Sequence, residues 1–259
     1  MARDKLKRLF TAIPSGEPFS SRRLALLGIS ADLAVSYVRN GWLLRLARGV
    51  FCRAGDEPDL GRSIVFLRES LAGLHVGGRT ALQWHGLLPP DAAGAGTGGT
   101  STNGPAPPPT APLTLYGWDD GQLPPWFTAR FPATYRRKRL IREERAWPLQ
   151  VGPAPGRMGL ATVSSAERAL LELLSEVGVS VTLAEARRAA ALAGGLQGEA
   201  LQALLQRCTS VKTVRLCVTA GQEFAHPWYA TLVLSSLPGG SARPWVWRSA
   251  EGLLVLPPV

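Results

Sequence analysis

The sequence is poor in the side chains from which catalytic and metal sites are built. It has three cysteines and three histidines in 259 residues, and Cys52, Cys208 and Cys217 form no C-x-x-C pair. An odd number of such cysteines argues against a disulfide framework or a structural zinc and is typical of a reducing cytoplasm. His75 and His85 have no partner at metal-ligand spacing, so we predict packing or capping roles for both.

Long apolar runs and common enzyme motifs are also missing. No stretch approaches the ~18 apolar residues of a membrane span, and Pro14 interrupts the basic N-terminus too early for a signal peptide. No P-loop or G-x-S-x-G occurs, and no G-x-G-x-x-G follows a predicted strand. Neither Asp119-Asp120 nor Glu143-Glu144 has the spacing of a metal-dependent nuclease. The sequence therefore predicts a cytoplasmic protein that is not an enzyme, has no metal or cofactor, and does not bind membranes.

Positive charge is in excess and unevenly distributed. The formal net charge is +10, with 46% hydrophobic and 19% charged residues, which indicates a globular chain of about two domains. Residues 1–53 contain ten Lys and Arg against three Asp and Glu, a net charge of +7. This excess favours a polyanionic partner, nucleic acid in preference to a membrane.

The segment Ser15–Arg53 has the pattern of a winged helix-turn-helix. Ser20-Ser21 can begin a short helix that ends at Gly28, and Ser30 is a suitable N-cap for a second helix. Two short apolar runs around Ala47-Arg48-Gly49 predict a hairpin, the wing. A first helix over residues 3–13 would pack behind them. On the second helix, i, i+4, i+8 spacing predicts a core-facing side formed by Ala34, Val38 and Trp42.

Polar side chains on the other faces of the second helix are candidates for reading a major groove. Arg39 has the donors for guanine and Asn40 the groups for adenine, while arginines at the preceding helix start and on the wing suit phosphates. The alternative is a winged helix used only for protein contacts. We predict that the DNA-binding residues are Arg22, Arg23, Ser36, Arg39, Asn40, Arg45 and Arg48.

A low-complexity segment divides the chain. Five of the 24 residues of Pro89–Pro112 are Gly and seven are Pro, a composition that buries too little apolar surface to offset the entropy of ordering. It predicts a flexible linker or a long inserted loop. The predicted domains are a winged-helix DNA-binding domain with its following helices at 1–88, the linker at 89–112, and a C-terminal domain at 113–259.

The C-terminal domain shows strands followed by several helices. A capping box, S-x-x-E, at Ser164–Glu167 would open one helix. Val211–Ala225 fits a strand or a helix, and we favour a helix. Trp245–Leu256 can form a closing hairpin. The predicted class is α+β: a winged helix-turn-helix, a flexible linker and a helix-rich α+β domain.

A second basic cluster lies on a predicted strand, Ala133–Ile141. It is either the solvated flank of an edge strand, where Lys and Arg prevent aggregation, or a second anion-binding surface. Its members are Arg136, Arg137, Lys138 and Arg139.

Several segments together resemble the AbiEi-type antitoxins. In the first part they are GIS (Gly28–Ser30), NGWLLRLARGVF (Asn40–Phe51) and HVGGRTALQWHGL (His75–Leu87). In the second part they are VSSAERALLELL (Val163–Leu174), SVKTVRLCVTAG (Ser210–Gly221) and AHPW (Ala225–Trp228). The resemblance spans the chain apart from the predicted linker.

This resemblance implies an antitoxin and autorepressor of a type IV toxin–antitoxin pair in a phage-defence (abortive infection) system. The winged helix would bind inverted repeats in promoter DNA. The C-terminal domain would antagonise a nucleotidyltransferase-like toxin without a stable complex. No catalytic residue is implied.

Two other functions are compatible with parts of the sequence. One is a winged-helix transcription regulator whose C-terminal domain senses a ligand and has no toxin partner. The other is a DNA-modifying enzyme targeted by a winged helix, but no catalytic motif supports it.

Overall fold

Two separate hydrophobic cores organise the protein. The structure, a computed structural model, describes residues 2–89, 112–142, 151–153, 161–249 and 252–259. One core lies within residues 2–53, which we call the head, and the other is built from residues 60 onward, which we call the body. The predicted α+β class is confirmed.

The head contains three helices and a three-stranded sheet. Strand β3 lies between β1 and β2 and is antiparallel to both. The order of elements is that of a winged helix, with the β2–β3 hairpin in the place of the wing. In chain order the elements are α1 (Ala2–Ala12), β1 (Phe19–Ser20), α2 (Ser21–Leu26), α3 (Ala31–Arg39), β2 (Leu43–Ala47) and β3 (Val50–Arg53).

The body places helices against a five-stranded mixed sheet, whose strand order is β6-β5-β4-β8-β7. Helix α7 lies at the centre of its core, with every residue after Ala166 buried. The elements are α4 (Leu60–Leu67), β4 (His75–Val76), α5 (Gly78–Trp84), β5 (Leu113–Gly117), α6 (Pro125–Thr128), β6 (Ala133–Arg137), β7 (Val151–Pro153), β8 (Thr162–Ser164), α7 (Ala166–Ser175), α8 (Leu183–Ala191), α9 (Gly198–Arg207), α10 (Val211–Glu223), β9 (Trp245–Ser249) and β10 (Gly252–Leu256).

Residues 60–88 contribute to the body, although the sequence groups them with the head. Strand β4 pairs with β5 on one side and with β8 on the other, in the middle of the sheet. The division between the two hydrophobic cores falls at residues 54–59, within the segment 1–88 that the sequence groups as the winged-helix domain with its following helices. Most of the predicted linker, residues 90–111, lies outside the described residues. Leu88 and Leu113, on either side of it, are both buried in the body's core.

The sequence predictions for helices and the hairpin of the body are partly right. The predicted helix over Val211–Ala225 is confirmed as α10, and the closing hairpin is confirmed as β9 and β10. The capping box is wrong by one residue, because Ser165 is the N-cap of α7 and accepts a hydrogen bond from Arg168 N at 3.3 Å. Glu167 instead accepts a hydrogen bond from Gln197 N at 3.0 Å.

The head contacts the body through a tight turn at Gly16. Its N–H donates to Asp56 Oδ2 at 3.1 Å, and its carbonyl accepts from Asp59 N at 2.9 Å. Gly16 has φ +73°, and a Cβ there would lie 2.9 Å from Glu57 O. Only glycine combines that conformation with so close an approach. Arg62 adds an ion pair to Glu17 at 3.4 Å.

Candidate nucleic-acid interface

Local hydrogen bonds define the helix-turn-helix. The Ser20 side chain accepts from Arg23 N at 3.3 Å, and the Ser30 side chain accepts from Leu33 N at 3.3 Å, so both predicted N-caps are present. Gly28, with φ +76°, makes the turn between α2 and α3. Ile29 follows and is 2% exposed, so it fixes the turn to the head's core. The angle between the two helices is therefore set by residues 28–30.

Helix α3 has one buried face and one exposed face. Ala34 and Tyr37 are buried, and Leu33 and Val38 are partly buried. The prediction that Trp42 belongs to the core is wrong. The helix ends at Arg39, and Trp42 is 48% exposed. The prediction extended the i+4 spacing past the end of the helix. The aromatic residue of this region that is buried in the core is Tyr37 and not Trp42.

The opposite face of α3 is open to solvent. Asp32, Val35 and Arg39 are exposed there. Arg39 has no ion-pair partner among the described residues. A helix face that carries a free guanidinium and no internal contacts has the geometry for insertion into a groove.

The wing brings further arginines beside α2. Ser21 N donates to Gly49 O at 2.8 Å, so the tip of the wing lies against the first residue of α2. Arg22 and Arg48, which adjoin those two residues in sequence, are both exposed. Arg45 is also exposed, and its Nε donates to Ala47 O at 3.3 Å. The structure thus gathers arginines from α2 and the wing at one edge of the head.

Ser36 and Asn40 face a different part of the head. Asn40 Nδ2 donates to Ser36 Oγ at 3.3 Å. Both residues line a groove of about 910 Å³ between α1 and α3, which also includes Phe10 and Trp42. They therefore lie on the α1 side of α3, away from the edge formed by α2 and the wing.

Two other basic residues of the head serve its fold. Arg53 donates through Nη2 to the carbonyls of Phe10 and Ile13 at the end of α1, and its guanidinium stacks 4.9 Å from the Phe10 ring. Lys5 Nζ donates to Gly28 O at 2.7 Å. Among the described residues, the side chains of Arg22, Arg23, Arg39 and Arg48 make no hydrogen bond of this kind, whereas Arg45 donates to Ala47 O.

The second basic cluster lies on β6 and just after it. β6 is an edge strand of the five-stranded sheet, which is the first of the two predicted alternatives. Every cation in it has a carboxylate partner. The pairs are Lys138–Glu176 at 2.6 Å, Arg136–Glu176 at 3.8 Å, Arg137–Asp120 at 2.5 Å and Arg139–Asp119 at 3.9 Å. Most of this cluster's charge is balanced locally.

Sequence reasoning missed a buried ionic cluster in the body. Glu172 Oε1 lies 2.9 Å from His75 Nε2 and accepts from Arg168 Nε at 2.7 Å. Its Oε2 accepts from Gly78 N at 3.0 Å and from Ser164 Oγ at 2.9 Å. The available signal was the i, i+4 pair Arg168 and Glu172 on an otherwise apolar helix.

The cluster holds Glu172 in its charged form. Burial alone raises the pKa of this carboxyl, but the charges and hydrogen bonds of His75 and Arg168 outweigh burial and lower the pKa to about 2. The cluster ties β4, α5 and α7 together and lies in the body. Its role is to fix the arrangement of these elements.

Two classes of site are not found among the described residues. No group of three or more His, Cys, Asp or Glu side chains there could hold a metal ion. No helix in that part of the chain is long and apolar enough to cross a membrane.

Comparison with known families covers both parts of the chain. Residues 2–88 match the family described as the N-terminal domain of the AbiEi antitoxin, a transcriptional regulator. Residues 110–256 match the family described as a transcriptional regulator, the AbiEi antitoxin of type IV toxin–antitoxin systems. The chain belongs to the AbiEi antitoxin family. The resemblance inferred from the sequence is thereby confirmed. AbiEi proteins are regulators, which agrees with the scarcity of catalytic side chains.

Comparison with solved structures supports the fold. The crystal structure of the Rv2827c protein from Mycobacterium tuberculosis superposes with a TM-score of 0.52 at 14% sequence identity, covering 88% of this chain and 78% of that one. At this identity the likeness concerns the fold alone. A search of curated proteins found no match.

Proposed function

We propose that this AbiEi-family protein represses its own operon by binding inverted repeats in double-stranded promoter DNA through the head. We further propose that it antagonises a nucleotidyltransferase-like toxin through the body. One observation carries the DNA-binding proposal: Arg22, Arg23, Arg39, Arg45 and Arg48 are all exposed, and none has a carboxylate partner among the described residues.

These arginines occupy the elements from which a winged helix contacts a duplex. Arg39 lies on the exposed face of α3, where a guanidinium can donate two hydrogen bonds to guanine. Arg22 and Arg23, in the first turn of α2, and Arg45 and Arg48, on the wing, suit the phosphates on either side of the groove. Phosphate contacts supply affinity and α3 supplies sequence preference.

Ser36 and Asn40 have a secondary place in this proposal. Because they lie on the α1 side of α3, they reach bases at the edge of the footprint of α3. Their mutual hydrogen bond at 3.3 Å holds the Asn40 amide in one orientation. We expect them to refine the preference that Arg39 establishes.

The toxin-directed role is assigned to the body. The body has its own hydrophobic core, and the family description joins antitoxin and regulator in one protein. Toxin antagonism without a stable complex requires no exposed arginine of the head. We therefore expect the two activities to be separable by mutation.

A gel-shift assay tests the DNA-binding role. The full-length Arg39→Glu, Arg48→Glu double variant should lose at least 100-fold in affinity for its promoter, because two contacts become repulsive. The matched control is Arg142→Glu, Arg188→Glu, which makes the same charge change at two exposed arginines of the body. Unchanged binding by the head variant, or equal loss in the control, would refute the assignment.

Co-expression tests the division of labour. The Arg39→Glu, Arg48→Glu variant should derepress a promoter reporter yet still rescue growth of cells that express the toxin of the same operon. Loss of rescue in a folded variant would show that DNA binding and antagonism are not separate.

A further inference from the structure

Val35 is an exposed apolar residue on the face of α3 that the proposed function presents to DNA. It lies three residues after Asp32 and four before Arg39, so the three side chains share one face of the helix. Its exposed fraction is 47%. Among the residues of α3, all of which the structure describes, it is the only large apolar side chain that is exposed.

Helix propensity does not favour a valine at this position. β-Branched residues are weaker helix formers than Ala, Arg or Lys, because their χ1 freedom is restricted against the preceding turn. Helix α3 draws its contacts with the core from other residues, Ala34 and Tyr37.

From this placement we infer that Val35 determines part of the operator sequence by contacting the C5-methyl group of a thymine. In the major groove the thymine methyl is the one apolar feature that distinguishes bases, and small apolar side chains recognise it. With Arg39 one turn away, the same helix face would read a guanine and a nearby thymine together. This inference rests on the proposed function and adds a specificity residue to it.

The test begins with in vitro selection of bound sequences from a random duplex pool by the full-length protein. Each thymine of the selected site is then replaced by deoxyuridine, which removes only the methyl group. We expect one thymine per half-site at which the replacement weakens binding about fourfold, the factor expected for burying one methyl group.

Variants of Val35 test whether this residue is the one that senses the thymine methyl group. Val35→Ala should bind the thymine site about fourfold more weakly and should no longer distinguish thymine from deoxyuridine. Val35→Thr, which keeps one methyl, should retain the distinction. The matched control is Val179→Ala in the body, where the valine is 76% exposed. It should behave as the unmodified protein.

Failure of the inference and failure of the proposed function give different results. If the protein selects a site but no deoxyuridine replacement weakens binding, or if Val35→Ala keeps the full sensitivity, the inference is overturned and DNA binding stands. If no sequence is enriched at all, both are overturned.

Discussion

In the head, Arg22, Arg39 and Arg48 are exposed and have no carboxylate partner among the described residues. In the body, by contrast, several cations lie against oxygen atoms of the protein, although others, such as Arg142 and Arg188, are exposed and have no ion-pair partner among the described residues. Lys138 pairs with Glu176 at 2.6 Å, and Arg215, which is 1% exposed, donates only to main-chain carbonyls. These cations of the body serve its internal structure, and we propose that the exposed arginines of the head serve recognition.

This difference explains why net charge alone is a weak guide to function. A cation with an internal partner contributes to folding and leaves little field outside the protein. A cluster of unpaired cations repels itself, and an external anion would relieve that repulsion. The predictions below separate these two uses of arginine and lysine.

The largest effect is expected at Arg215. Its guanidinium donates to the carbonyls of Gly239, Ser241, Arg243 and Leu256 at 2.6–3.4 Å. Replacement by leucine would remove all of these hydrogen bonds and leave the carbonyls of Gly239, which is partly buried, and Leu256, which is buried, without this donor. We expect a loss of about 3–5 kcal/mol in the free energy of unfolding, measured in urea.

Arg188→Leu is the control for this variant, since Arg188 is exposed. Its free energy of unfolding should change by less than about 0.5 kcal/mol. Equal stability of the two variants would show that buried arginine does not hold the C-terminal segment in place.

The second effect concerns pH and Glu172. Its pKa is about 2 in the folded protein and about 4.3 in an unfolded chain. As pH falls, the unfolded state takes up the proton first, so this stabilisation is complete above about pH 4.3 and is lost as pH approaches 2. Its size is on the order of 3 kcal/mol.

Glu172→Gln should remove that part of the acid dependence and destabilise the protein at pH 7, because the buried Arg168 loses its counter-charge. Urea unfolding of both proteins between pH 7 and pH 2 measures the difference. Parallel pH profiles would contradict the role given to the cluster.

A smaller effect is expected at Lys212. Its Nζ donates to the carbonyls of Ser175 at 3.1 Å and Val177 at 2.8 Å, at the C-terminal end of α7. Burial, together with Lys138, lowers the pKa of this amine. Lys212→Gln should cost about 1 kcal/mol by thermal or urea unfolding. No change would mean that the body's cations are less important for its stability than the geometry indicates.

The smallest effect on stability is expected in the head. Arg22→Gln and Arg48→Gln should each change the free energy of unfolding by less than about 0.5 kcal/mol. Yet each substitution should weaken DNA binding, and it should reduce the number of counterions released on binding by about one. A marked loss of stability would show that Arg22 and Arg48 stabilise the fold as the buried cations of the body do, which contradicts the contrast drawn here.

Local features of the head were predictable from sequence because they depend on neighbouring residues. The caps at Ser20 and Ser30 and the turns at Gly28 and Gly49 each follow from short-range hydrogen bonding or backbone conformation. The error at Trp42 arose because the spacing was extended beyond the helix end. The positive φ at Gly41, +68°, sends the chain in a new direction there.

Features of the body that depend on distant residues were not predictable. Strand β4 has only two residues, His75 and Val76, which is too short to show an alternating pattern. Nothing near Arg168 and Glu172 in the sequence marks this charged pair on α7 as buried, because its partner His75 lies 97 residues from Glu172. Long-range partners decide whether a charge is structural, and one sequence does not reveal them.

The most direct test is the salt dependence of DNA binding, measured by fluorescence anisotropy on the selected site. If Arg22, Arg23, Arg45 and Arg48 contact phosphates, the plot of log Kd against log salt should have a slope of roughly 3–4 for each copy of the protein bound, at about 0.9 per phosphate. The variant with all four changed to glutamine should lose nearly all of that slope and remain folded. An unchanged slope would contradict the claim that the unpaired arginines of the head bind the DNA backbone.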